Sequence, residues 1–269
     1  MTSEFEGRVA LVTGSATGLG RSIAVKLAER GAAVIVNYSR SKTEAEETAA
    51  LIEAASAKAV IVRADVSTEE GCARLRDAAA TFGRLDMLAN NAGITKHASD
   101  HGDLDALGRD DFMSIYAVNV VGPFLALQAL KPLLLAAHEA SGRASAVVNS
   151  SSIAGTTGVG SSVAYAASKG ALNTMTLSLA RGLAPAIRVN AICPGFIGTR
   201  WFRDAMDKAA YEKTVRKVEA TTPLAAASGP DDIADAALFL LSDAARHVTG
   251  ELLHVDAGIH LGFAPLKAR

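Results

Sequence analysis

Short, largely apolar runs alternate along the chain with longer stretches whose apolar side chains recur at helical spacing. The runs are Arg8–Thr13, Ala33–Asn37, Lys58–Arg63, Leu85–Asn90, Ala144–Ser150, Ile187–Cys193 and Leu252–Val255. Short apolar runs bounded by turn residues are the pattern of buried strands. Helical periodicity covers Gly18–Arg30, Lys42–Ala55, Glu69–Phe82, Asp110–His138, Val163–Leu183 and Asp231–Ser242. Strands buried on both faces and separated by helices predict an α/β, Rossmann-like, doubly wound parallel sheet of about seven strands with helices on both faces. With no linker or repeat, residues 1–269 are expected to form a single domain. Its ligands belong at the edge formed by the C-terminal strand ends.

Local signals sharpen the boundaries. Ser41-Lys42-Thr43-Glu44 fits a capping box, and Ser228-Gly229-Pro230-Asp231 places proline and acid in a first turn. Gly182 and Pro185 bracket the end of the helix that begins near Val163.

Two stretches carry candidate chemistry. In Thr13-Gly14-Ser15-Ala16-Thr17-Gly18-Leu19-Gly20, glycines at 14, 18 and 20 join the first strand to the first helix. They let the backbone turn tightly and come close to a ligand, and the free N–H groups of a helix start suit a pyrophosphate. No Gly-Lys-Ser/Thr follows, which argues against a phosphate-cleaving loop. A carboxylate about 20 residues downstream would favour NAD. Here Asn37-Tyr38-Ser39-Arg40-Ser41-Lys42 occupies that region, and no Asp or Glu lies between Glu29 and Glu44. An arginine pairs with a 2′-phosphate that a carboxylate would repel. NADP is therefore expected, with Ser39 and Arg40 as contacts, and NAD remains an alternative.

The second stretch is Ser150-Ser151-Ser152-Ile153-Ala154-Gly155 followed by Tyr165-Ala166-Ala167-Ser168-Lys169. On a helix Lys169 falls one turn beyond Tyr165, on the same face. A phenol titrates near pH ~10, and a neighbouring cation lowers that value. With Ser152 bonding the same oxygen, the set suits proton transfer in a C–OH/C=O interconversion. A solvated Tyr/Lys pair and an ordinary serine turn are the bland alternatives.

Composition narrows the class. The chain has 269 residues, 49% apolar and 20% charged, with a net charge of −1 and no basic stripe, so nucleic acid is not an expected partner. Cys72 and Cys193 lack C-x-x-C spacing and read as buried free thiols. Residues Met1–Glu6 lack the basic and apolar regions of a signal peptide, and no apolar run reaches the ~18 residues of a membrane span. A cytoplasmic protein is expected. His97 and His101 lie near aspartates, but without a second histidine pair or a cysteine no metal site is expected.

Together these residues resemble the short-chain dehydrogenase/reductase family, closest in pattern to its 3-oxoacyl-(acyl-carrier-protein) reductases. The resemblance runs from the glycine turn through Asp65-Val66, Asn90-Asn91-Ala92-Gly93, Asn119, Ser152, Tyr165/Lys169 and Pro194-Gly195 to Val255-Asp256-Ala257-Gly258. It implies that Tyr165 is the general acid/base, that Lys169 depresses its pKa and holds the nicotinamide ribose, and that Ser152 orients the substrate oxygen. It implies that Asn119 anchors a relay water. Asp65 would contact the adenine amine beside Val66, Asn91-Ala92-Gly93 would line the adenosine side, and Asn90 would brace the sheet. Gly14, Ser15, Thr17, Gly18, Leu19 and Gly20 would hold the pyrophosphate. Pro194-Gly195-Phe196-Ile197-Gly198-Thr199 would close over the nicotinamide, with Ile197 and Thr199 touching it.

Two departures stand out: the polar loop Thr95–Asp103, expected to shape the substrate pocket, and Thr17, where NADP-preferring relatives often carry a basic residue. Residues 198–223, with Trp201, Phe202, Met206 and Tyr211, read as a helical substrate lid. The resemblance also implies a homo-oligomer, a dimer or homotetramer, built on Val163–Leu183 and Asp110–His138. The tail residues Leu261, Phe263 and Leu266 would dock on a neighbour. The activity implied is NADP(H)-dependent carbonyl reduction or alcohol oxidation; an NAD-dependent secondary-alcohol or sugar dehydrogenase and a non-catalytic nucleotide sensor are the alternatives.

Overall fold

The structure is a computed structural model, and it describes residues 4–200 and 207–262. Seven parallel strands form one sheet in the order β3-β2-β1-β4-β5-β6-β7. They are β1 (Val9–Val12), β2 (Ala33–Tyr38), β3 (Ala59–Arg63), β4 (Met87–Asn90), β5 (Ser145–Ser150), β6 (Ile187–Pro194) and β7 (Leu252–Val255). The chain runs outward from β1 to β3, then returns to β1's other side with β4. That reversal opens a crevice between the C-terminal ends of β1 and β4.

The helices are α1 (Gly18–Glu29), α2 (Lys42–Ala54), α3 (Glu69–Ala80), α4 (Arg109–Tyr116), α5 (Gly122–Ser141), α6 (Ala154–Thr157), α7 (Val163–Leu183), α8 (Lys208–Thr221) and α9 (Pro230–Leu241). Each face of the sheet has its own apolar core. On one, Ile23 and Leu27 of α1 and Ile233, Leu238 and Leu241 of α9 meet Val12, Val34 and Val36. On the other, Leu75 of α3 and Leu127, Leu130 and Leu134 of α5 meet Leu11, Ile35 and Val147. Alternate residues of one strand thus feed opposite cores, which is why the strand sequences read as continuous apolar runs.

The structure corrects two local expectations and bears out a third, proline and acid in the first turn of α9. The predicted helix over Asp110–His138 is not uniform, because a π-helical turn, Ala117–Val121, separates α4 from α5. Pro123 supplies a reason: it has no N–H to give the carbonyl four residues back, that of Asn119. The capping box at Ser41 does not form, since the Ser41 side chain makes no cap bond and the Glu44 carboxylate meets Arg200 Nη1 at 3.1 Å. At α9 the capping acid is Asp232, which accepts from Gly229 N at 2.7 Å, while Asp231 bonds Ser22 of α1.

The continuous helical stretch Arg109–Ser141 contains an 18-residue window of mean hydropathy 1.7 and is long and apolar enough by composition to cross a membrane. The sequence expectation counted uninterrupted apolar residues, which Lys131 breaks. Leu127, Leu130 and Leu134 turn one apolar stripe of it onto the sheet.

Leu130 is fully buried in that second core. Leu130→Ala is expected to lower stability by about 2–5 kcal/mol, read as a shift in the urea unfolding midpoint.

Candidate active site

The turn after β1 is built for close backbone packing. Gly14 has φ +62°, and a Cβ there would lie 2.9 Å from Ala92 Cα. A Cβ at Gly20 would fall 2.4 Å from both Gly14 O and Asn91 Nδ2. Side chains at 14 or 20 would collide with the turn itself and with the segment after β4. Ser15 Oγ donates to Val12 O (2.7 Å) and accepts from Asn37 N (3.0 Å). Asn37 Oδ1 accepts from Gly14 N, and its Nδ2 donates to Ala64 O, both at 3.0 Å. Arg21 ties Ala16 O to Thr48 and Glu47 of α2.

Of the predicted contacts here, Ser15 and Leu19 turn their side chains into the protein and leave only main chain for a ligand. Thr17 makes no capping bond, so the first N–H groups of α1 keep their donors for an anion. The cradle fits a dinucleotide pyrophosphate.

The end of β4 is hung on the same turn. Asn91 N and Ala92 N donate to Thr13 Oγ1 at 2.9 and 3.0 Å, and Asn91 Nδ2 donates to Thr13 O and Gly14 O. Asn90 Nδ2 reaches Asn149 Oδ1 of β5 at 3.0 Å, a brace across the sheet. Gly93 then comes to the centre of the site: a Cβ there would lie 3.5 Å from Asn119 Oδ1 and 3.8 Å from Lys169 Nζ.

Asn119 is fully buried on the π-helical turn. Its Oδ1 accepts from Ile94 N and its Nδ2 donates to Ile94 O, both at 2.9 Å. Nδ2 also donates to Ser168 Oγ (3.1 Å), whose own hydroxyl goes to Tyr165 O (2.7 Å).

Tyr165 opens α7, whose N-cap Ser162 accepts from Tyr165 N at 3.2 Å. The Ser152 side chain, delivered by the end of β5, hydrogen-bonds Tyr165 and also accepts from Ala154 N at 3.1 Å. One turn along α7, Lys169 is 3% exposed; its Nζ donates to Ser150 O at 2.7 Å and lies 5.6 Å from the Tyr165 ring centroid.

The electrostatics differ from the sequence expectation. Burial pushes the Tyr165 phenol up to about 12, opposed by its Ser152 hydrogen bond; Lys169 is not among the groups that lower it. Burial pulls Lys169 down to about 8, opposed by the nearby Cys193. The ammonium donates to a strand-end carbonyl, Ser150 O.

The remaining predicted contacts spread along the edge. Ser39 and Arg40 are exposed after β2. Asp65 accepts from Ser67 Oγ (2.7 Å) and N (3.0 Å), and these bonds, aided by Arg40, hold its carboxyl below the usual range. Val66 is buried, and its side chain packs beside Gly122. Pro194 ends β6, Gly195 sits against Asp256, and Ile197 pairs with Ser228 while packing on the first core. The Thr199 methyl would meet a Cβ at Gly18 at 3.5 Å. In the expected lid, α8 turns Tyr211, Thr214, Val215 and Val218 inward as a half-buried face, and Tyr211 lies 6.3 Å from Phe196 ring to ring. Trp201, Phe202, Met206, Phe263 and Leu266 lie outside the described residues.

Sequence reasoning missed Asn37, Thr13 and Arg21, which hold the turn together, and Ser162 and Ser168, which fix Tyr165. Ser162 had a readable signal, a serine immediately before a helix start. The others act across long sequence separations and leave no local pattern.

The Lys169 shift has a stability consequence. Its folded pKa, about 8, lies below the ordinary 10.5, so at pH 8 to 9 the unfolded chain binds more protons there than the folded one. Stability then rises with pH across that window. Cys72 and Cys193, raised from the ordinary 9.0 to about 11, act oppositely in the same window, and Tyr165 above it. The lysine's share is therefore read as a difference: from pH 8 to 9 the urea midpoint of Lys169→Met is expected to fall relative to that of the wild type.

Comparison with known proteins agrees with this geometry. The family described as enoyl-(acyl carrier protein) reductase matches residues 14–260. A Streptomyces violaceoruber protein named as a ketoacyl reductase of granaticin polyketide synthase is 43% identical over 95% of this chain and 97% of its own length. The 3-oxoacyl-[acyl-carrier-protein] reductase of Staphylococcus aureus is 35% identical over 94% of this chain and 98% of its own. Glucose 1-dehydrogenase 2 of Bacillus subtilis is 36% identical over 97% and 98%. A solved structure from Burkholderia xenovorans, described as a short-chain dehydrogenase/reductase, superposes with a TM-score of 0.85 at 36% identity, covering 95% of this chain and 98% of that one. The chain belongs to the short-chain dehydrogenase/reductase family and is an NAD(P)-dependent oxidoreductase with 3-oxoacyl-(acyl-carrier-protein) reductase-like relatives.

Proposed function

We propose that this enzyme interconverts a ketone and a secondary alcohol with NADP(H), Tyr165 acting as the general acid/base. The observation that carries the reading is a buried phenol bonded to Ser152 and flanked by the Lys169 ammonium at the strand-end crevice. When bound, the nicotinamide nucleotide supplies or accepts the hydride at the carbonyl carbon.

The chain's own residues handle the proton and the orientation. With its pKa raised, Tyr165 is protonated at neutral pH and gives its proton to the substrate oxygen during reduction. Ser152 holds that oxygen in place. Lys169 has three N–H donors and gives one to Ser150 O, which leaves two for the ribose hydroxyls. Asn119 Oδ1 keeps one lone pair beyond its bond from Ile94 N, an acceptor for the relay water. Gly14, Thr17, Gly18 and Gly20 receive the pyrophosphate; Asp65, Asn91, Ala92 and Gly93 line the adenosine side, and Pro194, Gly195, Ile197 and Thr199 the nicotinamide. Exposed Ser39 and Arg40, with no acid between Glu29 and Glu44, support NADP over NAD.

In this reading residues 1–269 are one catalytic unit, with 198–223 as its substrate lid, acting on a small molecule in the cytoplasm as a dimer or tetramer.

The test is a screen of ketones and secondary alcohols with NADPH and NADH, followed at the reduced-nicotinamide absorbance. Turnover of a ketone with NADPH is expected, and none with any substrate would sink the reading. Tyr165→Phe is expected to bind NADPH normally yet lose about 10²–10⁴-fold in kcat. Arg40→Ala is expected to raise KM for NADPH by about tenfold and leave KM for NADH unchanged; equal NADPH kinetics would remove Arg40 from the account.

A further inference from the structure

Glu44 is the first acid after Glu29, and it stands in the first turn of α2, three residues beyond the N-cap Ser41. The exposed pair Ser39 and Arg40 lies just ahead of it. Its own main-chain N–H and the Arg200 guanidinium hold the Glu44 carboxyl below the usual range, so it is charged at neutral pH. Each of the three acids at this end of α2 is met by a cation. Glu47 takes Arg21 of α1 at 2.9 Å, and Glu46 takes Lys42 of its own helix at 3.5 Å. The cation for Glu44 comes from 156 residues away: Arg200 Nη1 lies 3.1 Å from Glu44 Oε1.

That partner is delivered past the glycine turn. After β6, Ile197 pairs with Ser228, and Gly198 N donates to Ser228 O at 2.9 Å. The Thr199 methyl then stands 3.5 Å from where a Cβ at Gly18 would be, at the start of α1. Arg21 ties the same two places from its own helix, its Nε donating to Ala16 O at 2.9 Å and its Nη2 to Glu44 O at 3.0 Å. Glu44 is thus joined to the glycine turn by its main chain and to residue 200 by its carboxylate. The Arg200 and Glu44 side chains are 53% and 29% exposed, and neither belongs to an apolar core. An exposed pair of this kind contributes little to holding a fold.

A free carboxylate in this position would act on a dinucleotide in two ways. It would repel a 2′-phosphate received at Ser39 and Arg40, and it would accept from the hydroxyls of an unphosphorylated ribose. A guanidinium paired with it cancels the charge and occupies an acceptor oxygen. We infer that Arg200 is a specificity-determining residue: by pairing with Glu44 it cancels the charge that α2 would otherwise hold beside Ser39 and Arg40, and so favours NADP over NAD. This rests on the NADP reading above. Arg200 acts through Glu44 and not by touching the phosphate.

The test measures Kd for NADPH and for NADH, from the fluorescence of the bound nicotinamide and with no substrate present. It uses the wild type, Arg200→Ala, Glu44→Gln and the double variant. In Arg200→Ala the uncovered carboxylate is expected to raise Kd for NADPH about fivefold, the scale of a charge interaction near a protein surface, and to leave Kd for NADH within about twofold. Adding Glu44→Gln to that variant should bring the NADPH value back to within about twofold of the wild type, because the two sites are coupled. Glu44→Gln alone should bind NADPH at least as tightly as the wild type. The loss in Arg200→Ala should shrink in about 0.5 M salt, where exposed charges are screened. A double variant as weak as Arg200→Ala would show Arg200 holding the phosphate itself and overturn the inference. Equal losses for both nucleotides would mark a strap that holds any dinucleotide and overturn it as well, as would unchanged values. A wild type that binds NADH more tightly than NADPH would overturn the NADP reading and this inference together, before any variant is made.

Discussion

Keeping an ammonium out of water at the end of a strand is the constraint from which the site's arrangement follows. A buried cation is costly unless its hydrogens are met. Lys169 reaches Ser150 O because α7 packs on β6, the strand beside β5, and because Ser151, next in the chain, grips the same helix through Asn173 at 2.6 Å and Lys169 O at 3.3 Å. The same placement sets Tyr165 one turn back, within reach of Ser152. Burial that lowers the lysine raises the tyrosine, so the two groups are tuned in opposite senses by one environment.

The two halves of the site are tied together through β4 rather than directly. Thr13 and Gly14 hold Asn91 and Ala92; Asn90 holds Asn149; and Gly93 delivers the chain to Asn119 and Lys169. The glycine turn and α7 are therefore joined by a chain of hydrogen bonds, each with a side chain on at least one end. Parallel strands make this possible, because they bring every such turn to one edge.

Most of this architecture was legible beforehand. The apolar runs marked a parallel sheet because both of its faces are covered, and the glycine spacing marked the turn because a Cβ at Gly20 would collide with Gly14 O and Asn91 Nδ2 at 2.4 Å. The triad of Ser152, Tyr165 and Lys169 could be read because two of its members lie on one helix. What escaped notice depends on partners distant in sequence. Asn37 bonds residues 23 and 27 positions away, and Ser168 matters only because Asn119 points at it. The sign of the Tyr165 shift escaped because helical spacing places two groups on one face but says nothing of where the lysine's tip is directed. At Ser41 the capping residue types were present, but Glu44 was drawn to Arg200 instead.

Pro123 has a consequence that reaches the site. Without its N–H, a regular helix cannot close on the Asn119 carbonyl, and the backbone widens into the π-helical turn at Ala117–Val121. In a uniform helix each residue advances about 100° around the axis, so removing that widening would swing the Asn119 carboxamide out of line with Ile94. A ring with no amide hydrogen thus sets the angular phase of a side chain four residues upstream, and with it the footing of the main chain at Ile94.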